Sequence, residues 1–350
     1  MGGETGQFTL QGVGPVLHWL TLVILCVLPI IGALVLYKLG SLPGSIARAR
    51  NHPQADAISI YRRLGCLAVI LTMVCIAAKA DGQSPSPQIQ EEYWAFPVSI
   101  PMRGHVFRPT GDGPFPLVIM NHGISNNVTD RGYFPQVEFP AAARWFAGQG
   151  YLVVVPIRPG YGQTAADIPE LGFYSINYTD VGSCTDPNFR DPGLAVARMN
   201  QWVIEYMVGQ GIALPSGVVV VGQSGGGWGS IALSSENPRE VRAIITFEAG
   251  RGGRVDGKPN NNCAPDKLVE ATRDFGRTSR VPMLWIYTEN DTFFGPALSK
   301  RMHEAFNGAG GNAKYHLLPP FGSDGHFFID SPDAIPIWSP LVKSFLENHR

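Results

Sequence analysis

The chain is 350 residues long, with 27 basic and 28 acidic residues and a formal net charge of −1. That balance excludes a nucleic-acid surface built on excess positive charge and gives no reason to expect a strongly acidic partner. Charged residues make up only 16% of the chain, against about a quarter in an average soluble domain. Part of that deficit sits in the first 80 residues.

From Val16 to Tyr37 the chain is almost wholly apolar, with His18 as its one His, Lys, Arg, Asp or Glu. The run is about 22 residues, enough to cross a hydrocarbon core of about 30 Å, and it has no polar face. A second apolar run, Leu64 to Ala78, is about 15 residues, short for a span and typical of a signal-peptide core. Arg62 and Arg63 precede it, and Ala78-Lys79-Ala80 follows as a small-x-small cleavage pattern. Two readings compete. Either the native chain begins near Ile58 and is cleaved near Ala80, or the protein keeps both spans in a membrane. Lys38, Arg48, Arg50, Arg62 and Arg63 lie between the runs, and no Lys or Arg precedes Val16. The positive-inside rule then puts that connection in the cytoplasm and residue 81 onward outside. Both readings predict an exported domain, tethered to a bacterial-type inner membrane or released into the periplasm. The stretch Ile46 to Ile58 (IARARNHPQADAI) resembles a loop of small two-span bacterial inner-membrane proteins of unknown function, which favours retained spans.

Asp81 to Gln90 (DGQSPSPQIQ) reads as a linker, taken here to residue 92, and a globular α/β pattern begins at Tyr93 and runs to 350. Phe96 to Ile100 and Gly104 to Phe107 read as an antiparallel pair. Strands are predicted at Pro116–Met120, Tyr151–Pro156, Val218–Val221, Val241–Phe247, Met283–Tyr287 and Tyr315–Leu318. Helices are predicted at Ala141–Gln149, Leu194–Val208, Leu268–Phe275, Ala297–Phe306 and Pro340–Asn348. Alternating strands and helices imply right-handed crossovers and a mostly parallel sheet covered on both faces. Two long insertions, 160–190 and 250–265, carry Cys184 and Cys263. The other three cysteines, Cys26, Cys66 and Cys75, lie in the apolar runs, so an oxidising compartment predicts one disulfide, Cys184–Cys263, over two free thiols. No Cys/His spacing suits a metal, and nothing calls for a cofactor.

The chemistry gathers at Val221-Gly222-Gln223-Ser224-Gly225-Gly226-Gly227. Gly222, Ser224 and Gly226 spell G-x-S-x-G between a strand and a helix, where a serine on a sharp turn needs small residues two positions either side. A serine hydroxyl is a weak nucleophile and needs a base that a third group orients. His326 is the best-placed histidine, a short loop after the last strand, with Gly325 before it leaving room for the ring. Asp291 follows strand Met283–Tyr287, with Glu248 and Glu289 as alternatives. Chain order favours Asp291, since serine, acid, histidine is the order found on this kind of sheet. An oxyanion needs two preorganised N–H donors. These are expected at Gly225, directly after the serine, and at Ile124 in Asn121-His122-Gly123-Ile124, with the His122 side chain bracing the loop. Tyr161 and Trp228 are expected to line the pocket, and Arg158, Arg251 and Arg254 are candidates to meet an acidic group, each more simply read as structural or solvated.

Residues 93–350 resemble the α/β-hydrolase superfamily and, within it, the dienelactone-hydrolase-like group. The resemblance rests on Phe107-Arg108-Pro109, Pro114 to Gly123, Arg158-Pro159-Gly160-Tyr161-Gly162, Gly222 to Gly226, Glu289-Asn290-Asp291 and Asp324-Gly325-His326. Dienelactone hydrolases proper carry cysteine where this chain has Ser224, so what the resemblance implies is the fold and acyl transfer to water, not lactone specificity. The expected function is hydrolysis of a small-molecule carboxylic ester. A serine peptidase of the same fold is the near alternative, and an inactive membrane-tethered binding module the distant one.

Overall fold

Unbroken apolar strands are buried on both faces, so each must feed two cores, and alternate side chains do this. In Val218–Gln223, Val218 and Val220 join one cluster and Val219 and Val221 the other. The same split divides Leu117 and Ile119 from Val118 and Met120, and Met283, Trp285 and Tyr287 from Leu284 and Ile286. The structure is a computed structural model that describes residues 88–125, 128–132, 138–168 and 181–349, together with Ile31. The apolar runs 16–37 and 64–78, apart from Ile31, lie outside the described residues; among the described residues no helix is long and apolar enough to cross a membrane. The chain divides into two units, Met1–Ser86 and Pro87–Arg350.

The second unit is an eight-stranded sheet: β1 Ile89–Phe96, β2 Met102–Pro109, β3 Leu117–Asn121, β4 Leu152–Ile157, β5 Val218–Gln223, β6 Val241–Phe247, β7 Met283–Thr288 and β8 Ala313–Leu318. The spatial order is β1-β2-β4-β3-β5-β6-β7-β8, antiparallel at the β1–β2 and β2–β4 pairings and parallel from β4 onward. One face is covered by α3 Arg190–Gly209, α4 Ser224–Glu236, α5 Pro265–Thr278 and α6 Pro296–Gly308, the other by α1 Pro140–Gly148 and α7 Ile335–Glu347. A short helix, α2 Gly162–Asp167, follows β4. The mostly parallel α/β sheet predicted from the sequence is the one observed.

Two elements differ from expectation. The first strand lies at Ile89–Phe96, its first four residues inside the stretch read as a linker, rather than at Phe96–Ile100. It is an edge strand with Gln90, Glu91, Tyr93 and Ala95 exposed, so period-2 apolarity is faint; Arg108 ties it down through Gln90 and Glu92. The closing helix begins at Ile335, five residues before Pro340. Pro336 suits the first turn, and Pro340 sits on an exposed face where water can take the carbonyl it leaves unpaired. Trp338, Val342, Phe345 and Leu346 form the buried stripe that holds this helix down.

At the β5–α4 junction the helix meets the sheet at backbone contact. A Cβ on Gly226 would lie 2.3 Å from the His122 carbonyl oxygen and 2.4 Å from that of Asn121. One on Gly222 would lie 2.4 Å from Ser230 Oγ and 2.6 Å from the Gly226 carbonyl oxygen. Only glycine fits at either position. On the helical face, Cys184 and Cys263 form a disulfide with Cα atoms 5.0 Å apart across 79 residues of chain. It joins the loop before α3 to the loop before α5.

Gly226→Ala is expected to lower stability by about 2–3 kcal/mol, because backbone rather than a pliable side chain must yield. Gly148→Ala, with nothing within 4 Å, is expected to be neutral or slightly stabilising. Denaturant midpoints at equal m-values check both. Removing the disulfide by paired Cys→Ser changes is expected to lower stability by about 2–4 kcal/mol, below the chain-entropy ceiling of about 4.5 kcal/mol for a loop of this length. Non-reducing mass mapping of the purified protein reads whether the bridge forms.

Candidate active site

Ser224 sits at the carboxyl end of β5 as the first residue of α4, in a left-handed conformation at φ 54°. A non-glycine residue there costs on the order of 1–3 kcal/mol. The glycine contacts on either side leave the backbone no other path, and the serine is only 8% exposed. Its hydroxyl lies 2.9 Å from His326 Nε2, and His326 Nδ1 lies 3.0 Å from Asp291 Oδ1. A histidine that donates through Nδ1 to a carboxylate presents a lone pair on Nε2 to the hydroxyl. The structure therefore brings Ser224, His326 and Asp291 together in one relay. Glu289 is exposed and stays outside it. Glu248, the other alternative acid, is fully buried after β6 and makes no hydrogen bond to the histidine. Burial, followed by the nearby Asp291 and Asp324 carboxylates, pushes its pKa well above the usual carboxylate range.

Several residues that hold the relay were not among the site residues expected from the sequence. Gln223 Nε2 donates to the His326 carbonyl at 2.8 Å, tying the elbow strand to the histidine loop. Asp324 accepts from the His326 and Thr292 backbone N–H groups through one oxygen and from the Thr292 hydroxyl through the other. It thus clamps the acid loop to the histidine loop. Asp291 Oδ1 also accepts from the Phe293 N–H at 2.7 Å, and the Phe293 ring stacks on the imidazole with centroids 3.9 Å apart. A Cβ on Gly325 would fall 1.8 Å from Thr288 Oγ1, so glycine before the histidine is a packing requirement. Asp two residues ahead of the histidine, in Asp324-Gly325-His326, is an Asx-turn signal that points to Asp324; the Gln223 and Phe293 contacts span distant segments and leave no such trace.

Ile124 and Gly225 both face the cleft, and the Ile124 side chain packs directly on the Gly225 Cα. Gly225 is the second residue of α4, so its N–H has no acceptor within the helix. The Ile124 loop is braced from behind. His122 Nδ1 donates to the Gly123 carbonyl at 2.8 Å, and its Nε2 accepts from the Arg158 backbone N–H at 3.1 Å. Burial, and then the Arg158 charge, holds the His122 pKa well below the usual histidine range, so the ring is neutral as this pairing requires. The Arg158 guanidinium donates to the same Gly123 carbonyl at 2.7 Å. Arg158 is therefore a loop brace, not a ligand for an acidic group.

The cleft over Ser224 and His326 holds about 420 Å³ and is lined by Ile124, Gly250 to Arg254, Phe293, Phe294 and Phe327. Arg251 and Arg254 do reach it; Arg254 lies over the Phe293 ring and 3.6 Å from Asp324. Tyr161 and Trp228 do not line it. The Tyr161 ring packs edge-on to His122 and its hydroxyl accepts from the Ser125 N–H. Trp228, one helical turn beyond Ser224, turns away toward Phe275 and donates to the Phe189 carbonyl. Of the insertions, 250–257 borders the cleft, while 169–180 lies outside the described residues.

No family model matches the chain, and no curated protein matches its sequence. Solved structures do match. A Bacteroides ovatus protein provisionally assigned as dipeptidyl aminopeptidase IV has a TM-score of 0.53 at 12% identity, over 75% of this chain and 36% of that one. Pyrococcus horikoshii acylaminoacyl peptidase has a TM-score of 0.51 at 13% identity, over 75% and 42%. A Klebsiella pneumoniae protein provisionally assigned as a dienelactone hydrolase has a TM-score of 0.49 at 19% identity, over 74% and 98%. The chain spans about two fifths of the length of the two peptidases. At these identities the likeness speaks to architecture: this chain carries the α/β-hydrolase fold.

Proposed function

We propose that this chain is a serine hydrolase that cleaves carboxylic esters through an acyl-enzyme. The observation that carries this reading is the continuous hydrogen-bonded line from Asp291 through His326 to Ser224, ending on the floor of a cleft. In the reaction, Ser224 Oγ attacks the ester carbonyl carbon while His326 Nε2 takes its proton. Asp291 holds the imidazole in the Nδ1–H tautomer and stabilises the charge that forms on it. The Gly225 and Ile124 N–H groups receive the oxyanion. His326 then gives its proton to the departing alcohol oxygen. Water deprotonated by the same ring attacks the acyl-enzyme, and Ser224 recovers its proton as the acid leaves. Nothing in this sequence of steps asks for a metal or cofactor.

A peptide substrate is the second reading, favoured by the two peptidases among the structural matches. The leaving group separates the two: an esterase hydrolyses p-nitrophenyl acetate far faster than aminoacyl p-nitroanilides. We further place the domain outside the cytoplasm, attached through the apolar runs 16–37 and 64–78. Those runs, the basic residues between them and the Cys184–Cys263 bridge support this reading.

Ser224→Ala and His326→Ala are each expected to lower kcat on short p-nitrophenyl esters by roughly 10⁴-fold or more, with losses that do not add in the double variant. Substantial activity in Ser224→Ala would remove the elbow assignment. Asp291→Asn is expected to lower kcat by about 10³–10⁴-fold with little change in KM, since the imidazole loses its orienting acceptor. A larger loss from Glu289→Gln than from Asp291→Asn would move the acid.

A further inference from the structure

Glu248 is a buried titratable group that the reaction above does not use. It directly follows β6, the strand between the one that leads into Ser224 and the one that leads to Asp291. Its backbone N–H bonds the Ile286 carbonyl at 2.9 Å, which pins it against the end of β7, and its φ of 44° is left-handed. The residue is fully buried, and neither carboxyl oxygen has a hydrogen-bond partner among the described residues. An ionised carboxylate there would be strongly disfavoured, and the charged groups that face it make this worse. These are Asp291 from the loop after β7 and Asp324 from the loop after β8, the latter shared with Arg254. Tyr287 on β7 also faces it, but its hydroxyl is directed at the Ala249 carbonyl.

Asp291 presents the complementary deficit. Its Oδ1 accepts from both His326 and Phe293, whereas its Oδ2 is buried with no donor among the described residues. Two buried carboxyl groups with unpartnered oxygens thus follow the carboxyl ends of adjacent, paired strands, β6 and β7. We propose that Glu248 is a positioning residue that keeps its proton and donates it in a hydrogen bond to Asp291 Oδ2, steadying the carboxylate that orients His326. The proton stays on Glu248 throughout, so no bond is made or broken there. The inference rests on the serine-hydrolase reading for its consequence and on burial and geometry for the proton.

The sign of the pH dependence follows. Above the usual carboxylate range the unfolded chain has lost this proton and the folded chain has kept it. Stability therefore falls as pH rises from that range toward the raised native value. Glu248→Gln removes the linkage and keeps an N–H donor for Oδ2. Glu248→Leu removes the donor at similar volume.

Three measurements on the full chain test this. Glu248→Leu is expected to lose about tenfold or more in kcat with KM unchanged, and to slow Ser224 labelling by a fluorophosphonate by a similar factor. Glu248→Gln is expected to rescue both to within about threefold of wild type at neutral pH. It should also lack the wild-type loss of stability as pH rises above the usual carboxylate range. Equal losses in the Gln and Leu variants would overturn the proposal, because size alone would then matter. So would a wild-type slope of stability with pH that Glu248→Gln leaves unchanged. If Glu248→Leu does not fold, the Gln variant's slope alone decides whether the proton is held. Failure of wild type to label at Ser224 would instead overturn the hydrolase reading, and that slope would still judge the Glu248 proton.

Discussion

The rest of the site depends on how closely the amino end of α4 approaches the sheet. With no Cβ at Gly222 or Gly226, helix backbone touches strand backbone, and Ser224 is left as the residue that must turn the corner. Its left-handed conformation is the geometric remainder of that contact. Stored strain of on the order of 1–3 kcal/mol is small beside the packing that enforces it. The same corner aims the unpaired N–H groups of the first helical turn at the space beside the hydroxyl. Ile124 then packs over Gly225 and closes the near wall.

Around this corner the polar groups are dry, and their protonation states follow from what each can bond. His122 is held neutral by burial and by Arg158, which lets one ring nitrogen donate and the other accept, so the Ile124 loop is fixed from behind. Gln223 donates from β5 to the His326 carbonyl, and Asp324 accepts from the Thr292 N–H, so the histidine loop is held to a strand and to the acid loop. Phe293 covers the imidazole face and keeps bulk water from it. An electrostatic relay acts most strongly where solvent cannot screen it, and the Phe293 ring shields this one without adding charge.

The cleft wall is a different kind of structure. Residues 250 to 257 include three glycines in close contact with aromatic rings or Cys263, and Arg254 and Asp256 in left-handed conformations. Such a loop has little apolar area to hold it. The disulfide at Cys263, whose N–H bonds the Gly252 carbonyl, supplies a covalent tie where a hydrophobic one is missing. This segment borders the cleft above Ser224 and His326.

Much of this was legible in the residues. Apolar runs such as Val218–Val221 and Leu117–Met120 can only be strands buried on both faces, and the G-x-S-x-G turn and the Asp-Gly-His stretch announce their roles by spacing. The pairing of Cys184 with Cys263 followed from the absence of any other cysteine beyond residue 80. What the sequence could not decide was which side chains meet. Asp291, Glu248 and Glu289 all follow strands in the right half of the chain, but only Asp291 has a loop that returns it to His326. Trp228 and Tyr161 lie beside the catalytic motifs in the chain yet point away from the cleft, because one helical turn and one loop reversal carry them to other neighbours. Strand β1 hid in a polar stretch because an edge strand needs only one buried face and a partner's hydrogen bonds. Periodicity and composition report how much of a residue must be buried. Which neighbour buries it is set by loop paths and packing, and those exist only in three dimensions.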